Sequence, residues 1–209
     1  MEHLTSMREC GIEGVDQLLW VTADSGGYGD RTDGPLFDWI QDSKHFMSHV
    51  KGFDTVIQAG GNCGMYPRFY RNYFNNVYTF EPEDLNYYCL DQNCQGEGFH
   101  KFKGGLGNTT EKFAIRKPND TNVGMHYIVD TPGKVQMYRI DDLELEQCDL
   151  IHLDIEGYES KALAGGLKTI EKFKPVIVTE RAIGAEVIIP MGYEMIQRMR
   201  MDALFVYKE

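Results

Sequence analysis

The chain lacks several features that would assign it to a particular class of protein. No run approaches the roughly 18 consecutive apolar residues of a membrane-spanning helix, so we expect no membrane span. Residues 1–4 are not a basic segment leading into an apolar one, so we expect no signal peptide. No internal repeat or low-complexity tract interrupts the 209 residues, and this length is typical of one globular domain.

Cysteine is sparse and odd in number, with five residues and no C-x-x-C pair. Without a secretory signal or a histidine cluster, this usage argues against a disulfide framework and against a zinc site. It favours free thiols in a reducing compartment, and we expect a cytoplasmic protein.

Positive charge is also in short supply. The chain has 21 Lys and Arg residues against 32 Asp and Glu residues, a formal charge of −11. Binding to a phosphate backbone needs a positive field, so the balance argues against a nucleic-acid partner. It leaves small-molecule ligands open.

The pattern from residue 52 onward favours alternating strands and helices, which is typical of βαβ units and a mainly parallel sheet. Short β-branched and apolar runs predict strands over 54–59, 76–80, 99–106, 148–153 and 175–180. Helical spacing predicts helices over 65–74, 83–93 and 158–173. Residues 109–140 are predicted to be an insertion with short strands around 123–127 and 135–140, and a final hairpin is predicted for 193–199 with 203–207.

The N-terminal part has a different pattern. Residues 1–34 are predicted to be irregular, and a helix is predicted over 35–50. We therefore divide the chain into an N-terminal extension with a helix, 1–51, and one domain, 52–209. The loop 24–30, with Trp20 and Tyr28 near it, is interpreted either as a lid over an acceptor or as a plain surface loop.

Polar or glycine-rich residues follow the predicted strands, at 58–64, 81–82, 104–108, 154–156 and 180. In parallel sheets, ligands bind beyond the carboxyl ends of the strands. Gly60, Gly61 and Gly64 permit a tight turn and close approach of the main chain to a ligand. Glu81 ends the next strand, where a carboxylate accepts hydrogen bonds from both hydroxyls of a ribose. Together the two signals predict a cofactor that contains a nucleoside.

Two cofactor classes remain open on these residues. Ala59-x-Gly61-x-x-Gly64 is one substitution from the dinucleotide pattern, so an NAD-dependent oxidoreductase is an alternative. The acidic segment 154–159 and the terminal hairpin favour S-adenosylmethionine instead. A non-catalytic module that binds a nucleoside cofactor is a third interpretation.

Five motifs occur in order along the chain: VIQAGGNCGMY (56–66), TFEP (79–82), RIDDL (139–143), LDIEGYE (153–159) and PVIVTE (175–180). Together they resemble the FkbM-type S-adenosylmethionine-dependent methyltransferases over about residues 52–207. The resemblance implies an α/β class I methyltransferase fold, Rossmann-like, with a seven-stranded, mainly parallel sheet and a C-terminal antiparallel hairpin. It further implies methylation of a small hydroxylated acceptor, such as a sugar or glycan, at oxygen.

The resemblance also assigns parts of the cofactor to parts of the chain. Residues 60–64 would wrap the methionine end, Glu81 would hold the ribose, and 105–108 would lie beside the adenine. The chain departs from the family pattern at Gln58, where an acidic residue is usual, and at His152, where Lys is usual. The expected cofactor-binding residues are Gln58, Ala59, Gly60, Gly61, Asn62, Gly64, Met65, Glu81, Pro82, Gly105, Leu106, Asn108 and Asp154.

Methyl transfer to a hydroxyl group calls for a base near the acceptor. Asp154, Glu156 and Glu159 are the candidate catalytic residues, and Asp154 is expected to face the cofactor amino group or the acceptor. His152 is a further candidate base that we interpret as a core histidine. Three carboxylates near one pocket can also hold a divalent cation that orients a diol, although no histidine joins them and we assign no metal ligands.

Overall fold

The computed structural model describes residues 2–25, 43–199 and 201–208. The first part is ordered, and the expectation of an irregular N-terminus was wrong for it. Strands β1 (Thr5–Ile12) and β2 (Val15–Val21) form an antiparallel hairpin that turns at Gly14, whose φ is +75°. In β2 the alternation of buried and exposed residues is broken at Asp16 and Gln17, which are both exposed and lie opposite a register shift between Glu9 and Ile12 of β1. This break hid the hairpin from pattern analysis.

The predicted helix over 35–50 is seen only in part. Residues 43–47 form helix α1, whereas 35–42 lie outside the described residues. Phe46 and Met47 of α1 are buried in the same apolar cluster as the N-terminal hairpin.

A seven-stranded sheet forms the centre of the fold. Its strands are β3 (Thr55–Ala59), β4 (Asn76–Glu81), β5 (Phe99–Lys103), β10 (Leu150–Leu153), β11 (Val176–Glu180), β12 (Tyr193–Arg198) and β13 (Asp202–Tyr207). They lie in the order β12-β13-β11-β10-β3-β4-β5. Every neighbouring pair from β11 to β5 is parallel, and β13 alone runs against both of its neighbours. The predicted α/β class, with its mainly parallel sheet and C-terminal antiparallel hairpin, is confirmed.

The helices that connect these strands are α2 (Met65–Tyr70), α3 (Asp84–Asn93), α4 (Glu159–Ala164), α5 (Leu167–Phe173) and α6 (Ala185–Ile188). The single helix predicted over 158–173 is two helices, separated at Gly165 and Gly166. A Cβ on Gly165 would lie 2.0 Å from the carbonyl oxygen of Gly107, and one on Gly166 would lie 2.9 Å from Cβ of Ile140. The glycines thus allow this region to pack against the neighbouring segments, and they end the first helix.

A second sheet has four strands, β6 (Gly105–Leu106), β7 (Lys112–Arg116), β8 (Tyr127–Pro132) and β9 (Val135–Tyr138). They lie in the order β6-β9-β7-β8. The strand predicted over 99–106 is split at Gly104, where a Cβ would lie 2.2 Å from the carbonyl oxygen of Gln136. The strand predicted around 123–127 is instead a 3₁₀ turn, Val123–Met125, followed by β8.

Apolar side chains on the two faces of the main sheet form two buried clusters. One joins the N-terminal hairpin, α1 and α2 to the sheet, and the other joins α4, α5 and α6 to the opposite face. No helix in the described part of the chain is long and apolar enough to cross a membrane. The two clusters cover the two faces of the main sheet, and the carboxyl ends of its strands remain available to form a site.

Candidate functional site

A cavity of about 310 Å³ lies at the carboxyl edge of the main sheet. The ends of β3, β4 and β10 form its base, and β6 forms one side. The remaining walls come from Trp20 and from residues 122–128, which we call the cap segment. The sequence-predicted residues that line the cavity are Ala59, Gly60, Gly61, Asn62, Met65, Glu81, Pro82, Gly105, Leu106, Asp154 and Glu156.

The glycine turn after β3 is held tightly against its neighbours. The amides of Gly60 and Gly61 both donate to the carbonyl oxygen of Phe80, at 3.1 and 2.9 Å. Gly60 has a φ of +82°, and a Cβ there would lie 1.8 Å from the main-chain oxygen of Asp154. Asn62 is a non-glycine residue with a left-handed backbone conformation, with a φ of +45°. The turn is thus fixed in one conformation along the lining of the cavity.

Gln58 supports this turn from behind and does not line the cavity. Its side chain is fully buried, and its amide nitrogen donates to the carbonyl oxygens of Ala59 and Gly60, at 3.1 and 3.0 Å. Its amide oxygen accepts a hydrogen bond from the Thr79 hydroxyl at 2.9 Å. Both ends of the amide are therefore engaged within the protein. Gly64, the N-cap of α2, also lies outside the lining.

Glu81 lies at the end of β4 and lines the cavity next to the glycine turn. One carboxylate oxygen accepts from the Asn62 amide at 2.7 Å and the other from the Glu83 amide at 2.9 Å. Burial raises the pKa of Glu81 to about 7, although the two amide donors act in the opposite direction. The carboxylate is thus oriented by the main chain and titrates near neutral pH.

Three carboxylates meet beside the cavity. Asp154, Glu156 and Glu180 each place an oxygen so that these atoms lie within 4.8 Å of one another. Burial, and then the charges of Asp202, Glu180 and Glu156, raise the pKa of Asp154 well above its usual range. Glu156 adopts a left-handed conformation, with a φ of +54°, and burial also raises its pKa. A group of this kind holds protons readily and favours a positively charged neighbour.

Glu159, the third predicted catalytic residue, does not line the cavity. It is fully buried, and one carboxylate oxygen accepts from the Ile155 amide at 3.0 Å. Burial raises its pKa to about 7. The contact fixes the turn that carries Glu156.

His152 lies in the apolar interior. Its Nδ1 is 2.7 Å from the hydroxyl of Tyr70, and its ring makes edge contacts with Phe46 and Tyr66. Burial lowers the pKa of His152 to about 3, so the ring is neutral at physiological pH. The surroundings are those of a core histidine.

The predicted adenine side is divided between the cavity and the surface. Gly105 and Leu106 line the cavity, whereas Asn108 is exposed and lies outside it. Tyr158 also lines the cavity, and its hydroxyl donates to Asp130 of β8 at 2.6 Å. This contact connects the loop after β10 to the small sheet.

Sequence reasoning placed Trp20 near a possible lid but did not assign it to the cofactor site, and it missed Asn86 and the cap segment. Trp20 belongs to a hairpin whose alternation is broken, as described above. The cap segment carried a weak signal, because its apolar residues were assigned to a strand instead of a turn. The lid suggested for 24–30 is described only at Asp24 and Ser25, since 26–30 lie outside the described residues.

The charge of the lining is one-sided. Among the described residues that line the cavity there are three carboxylates, Glu81, Asp154 and Glu156, and neither Lys nor Arg. His126 in the cap segment is the titratable base of the lining, and burial lowers its pKa. The cavity therefore suits a neutral or positively charged ligand better than a phosphate ester.

The arrangement matches a family model, described as the methyltransferase FkbM domain, over residues 59–202. No curated protein matches the chain. A solved structure of methyltransferase FkbM from Methylobacillus flagellatus KT is 19% identical, with a TM-score of 0.50 over 74% of this chain and 44% of that chain. The structure of Trm5b from Pyrococcus abyssi is 12% identical, with a TM-score of 0.51 over 97% of this chain and 54% of that chain. The chain spans about half the length of both proteins, and the likeness to them is one of fold.

Proposed function

Because the chain belongs to the FkbM methyltransferase family, we propose that it transfers the methyl group of S-adenosylmethionine to a hydroxyl group of a small acceptor such as a sugar or glycan. When bound, this cofactor supplies an electrophilic methyl group on a positively charged sulfur. The proposal rests on the charge of the cavity together with the glycine turn and Glu81 beside it.

The charge of the lining is the observation that carries the choice of cofactor. S-adenosylmethionine has a positive sulfonium and a positive ammonium group, which complement the carboxylates of Glu81, Asp154 and Glu156. A dinucleotide would place a pyrophosphate in a cavity whose described lining offers no Lys or Arg. The cavity volume, about 310 Å³, falls at the lower end of the roughly 300–1,000 Å³ of small-molecule sites.

Glu81 has the free capacity that ribose recognition needs. A carboxylate offers about four acceptor sites, and the Asn62 and Glu83 amides occupy two of them. The rest can accept hydrogen bonds from the two ribose hydroxyls. The same two amides hold the carboxylate in one orientation, which reduces the conformational entropy lost on binding.

We propose that Asp154 acts on the acceptor. It lines the cavity, and burial, followed by the charges of the nearby acidic groups, raises the pKa of its carboxyl group, so its ionised form is a strong base. We assign it the removal of the proton from the acceptor hydroxyl as the oxygen attacks. Glu156 lies in the same group of carboxylates and offers a hydrogen-bond acceptor to a second hydroxyl, which suits an acceptor with several hydroxyl groups.

The first test is calorimetric titration of the ligand-free protein with S-adenosylhomocysteine, with NAD as the comparison. We expect one-site binding of S-adenosylhomocysteine, weakened at least tenfold by Glu81→Ala and unchanged by the control Glu97→Ala, since Glu97 is exposed. Binding of NAD instead would replace the proposal with an oxidoreductase.

The acceptor is tested separately, with S-adenosylmethionine carrying a labelled methyl group and a panel of mono- and oligosaccharides. We expect label in a methyl ether, and none with acceptors whose hydroxyls are blocked. If the protein binds the cofactor but transfers label to no hydroxylated acceptor, the proposed binding site stands and the proposed reaction is rejected.

A further inference from the structure

The N-terminal hairpin is attached to both walls of the cavity, although it precedes the residues 59–202 that match the family. The first attachment is Asn93, at the end of α3. Its amide oxygen accepts from the Leu19 amide at 2.8 Å, and its nitrogen donates to the Leu19 carbonyl at 2.8 Å. The same nitrogen donates to the carbonyl oxygen of Cys63, in the glycine turn, at 2.6 Å. One side chain therefore holds β2 and the glycine turn together.

The second attachment is Asp24, which follows β2 and is 1% exposed. One of its carboxylate oxygens accepts from the indole nitrogen of Trp20 at 2.8 Å. The other accepts from the main-chain amide of Val123, in the cap segment, at 3.0 Å. The carbonyl of Val123 in turn accepts from the Asn86 side chain at 3.1 Å. Both main-chain groups of Val123 are thus held by side chains from outside the cap segment.

Trp20 and Val123 also belong to the same apolar cluster. Both are buried in the cluster that contains Met65 and Tyr66, and all four line the cavity. Trp20 is 1% exposed, so its indole closes the cavity from solvent on that side. The two hydrogen bonds of Asp24 fix the indole and the cap segment relative to each other.

We infer that the N-terminal hairpin is a working part of the ligand cavity, and that Asp24 is a positioning residue that holds Trp20 and the cap segment in the arrangement that binds the ligand. The inference rests on the proposed function for the identity of that ligand. It assigns a role in binding to a segment that the family match does not include.

Asp24→Asn is the sharpest test, because it keeps the shape of the side chain. Trp20 and Val123 donate to different carboxylate oxygens of Asp24, so in Asn one of these donors would face the NH₂ group, which cannot accept. We expect the dissociation constant for S-adenosylhomocysteine to rise about tenfold or more, since the lost contact is a hydrogen bond to a charged group. Asp16→Asn is the matched control, because Asp16 is exposed on the same hairpin.

A second variant separates positioning from stability. Val15→Ala removes apolar contacts of the buried hairpin, and Val15 does not line the cavity. We expect it to lower the urea midpoint and to bind S-adenosylhomocysteine as the native protein does. The inference would be overturned if Val15→Ala, at the same urea midpoint as Asp24→Asn, weakened the binding of S-adenosylhomocysteine as much as Asp24→Asn does. It would also be overturned if Asp24→Asn bound S-adenosylhomocysteine with native affinity.

Hydrogen exchange of the Val123 amide gives a readout that needs no ligand. In the native protein this amide should be protected, and Asp24→Asn should accelerate its exchange selectively while amides in β10 remain unchanged. Unaltered protection would refute the role of Asp24. Failure of the native protein to bind S-adenosylhomocysteine would instead refute the proposed cofactor, and the exchange result would still decide whether Asp24 holds the cap segment.

Discussion

Replacement of Glu81 by Gln should change how the stability of the protein depends on pH. Glu81 is 5% exposed, and burial raises its pKa from about 4.5 to about 7 in the folded protein. The folded state therefore binds a proton more tightly than the unfolded state. Stability from this group is fully present below pH 4.5 and is lost as the pH rises through about 7.

The size of the effect follows from the shift. A difference of about 2.5 pKa units corresponds to about 3 kcal/mol, which the ionised carboxylate costs the folded, ligand-free protein above neutral pH. Glu81→Gln removes this titration. Glu81→Gln also weakens the hydrogen bonds from the amides of Asn62 and Glu83. The free energy of unfolding lost in this way is the same at both ends of the pH range, because Gln does not titrate.

The assay is urea unfolding of the ligand-free native protein and the variant, at half-unit steps from pH 4.5 to pH 8. We expect the free energy of unfolding of Glu81→Gln, minus that of the native protein, to increase by about 3 kcal/mol across this range. Glu97→Gln, at an exposed position, serves as the control and should give a flat difference. A flat difference for Glu81→Gln would show that Glu81 titrates alike in the folded and unfolded states, and the argument from burial would be wrong.

Three further predictions concern the same edge of the sheet. Gly60→Ala should destabilise the protein by more than about 2 kcal/mol in urea unfolding and abolish binding of S-adenosylhomocysteine, because its Cβ would meet the main-chain oxygen of Asp154; retained binding would contradict this. Asp154→Asn should weaken the binding of S-adenosylhomocysteine in calorimetry much less than it lowers methyl transfer, which should fall at least about 100-fold; unchanged turnover would remove its assigned role. Gln58→Glu should lower stability by at least about 2 kcal/mol at pH 8, since it places a carboxylate against the carbonyl oxygens of Ala59 and Gly60; a more stable variant with tighter cofactor binding would refute the supporting role of the amide.

The parts of the fold that the sequence predicted are those with strong local patterns. The buried strands β3, β4, β10 and β11 are short apolar runs, each followed by glycine or acidic residues, and such runs are recognisable without tertiary information. The residues at their carboxyl ends could be placed on one edge because parallel strands end together. About half of the residues that line the cavity follow from that rule.

The parts that were missed depend on contacts distant in sequence. Gln58 has the position of a cofactor ligand, yet its environment, set by Thr79 on the next strand, turns its amide inward. Asp24 accepts hydrogen bonds from both Trp20 and Val123, and Asn86 donates one to the Val123 carbonyl. A local sequence pattern cannot predict the hydrogen bond between Asp24 and Val123, because these residues are 99 positions apart in the chain.

The left-handed residues at the carboxyl edge have a consequence for variation at this site. Asn62 and Glu156 have φ angles of +45° and +54°, a region that β-branched side chains avoid. A library that randomises both positions should therefore be depleted of Val, Ile and Thr even when it is selected for folding alone, with Gly, Asn and Asp the most accepted replacements. Selection for activity would reduce the accepted residue types further. The backbone conformation at these two positions therefore limits the side chains that this edge can acquire, independently of any substrate.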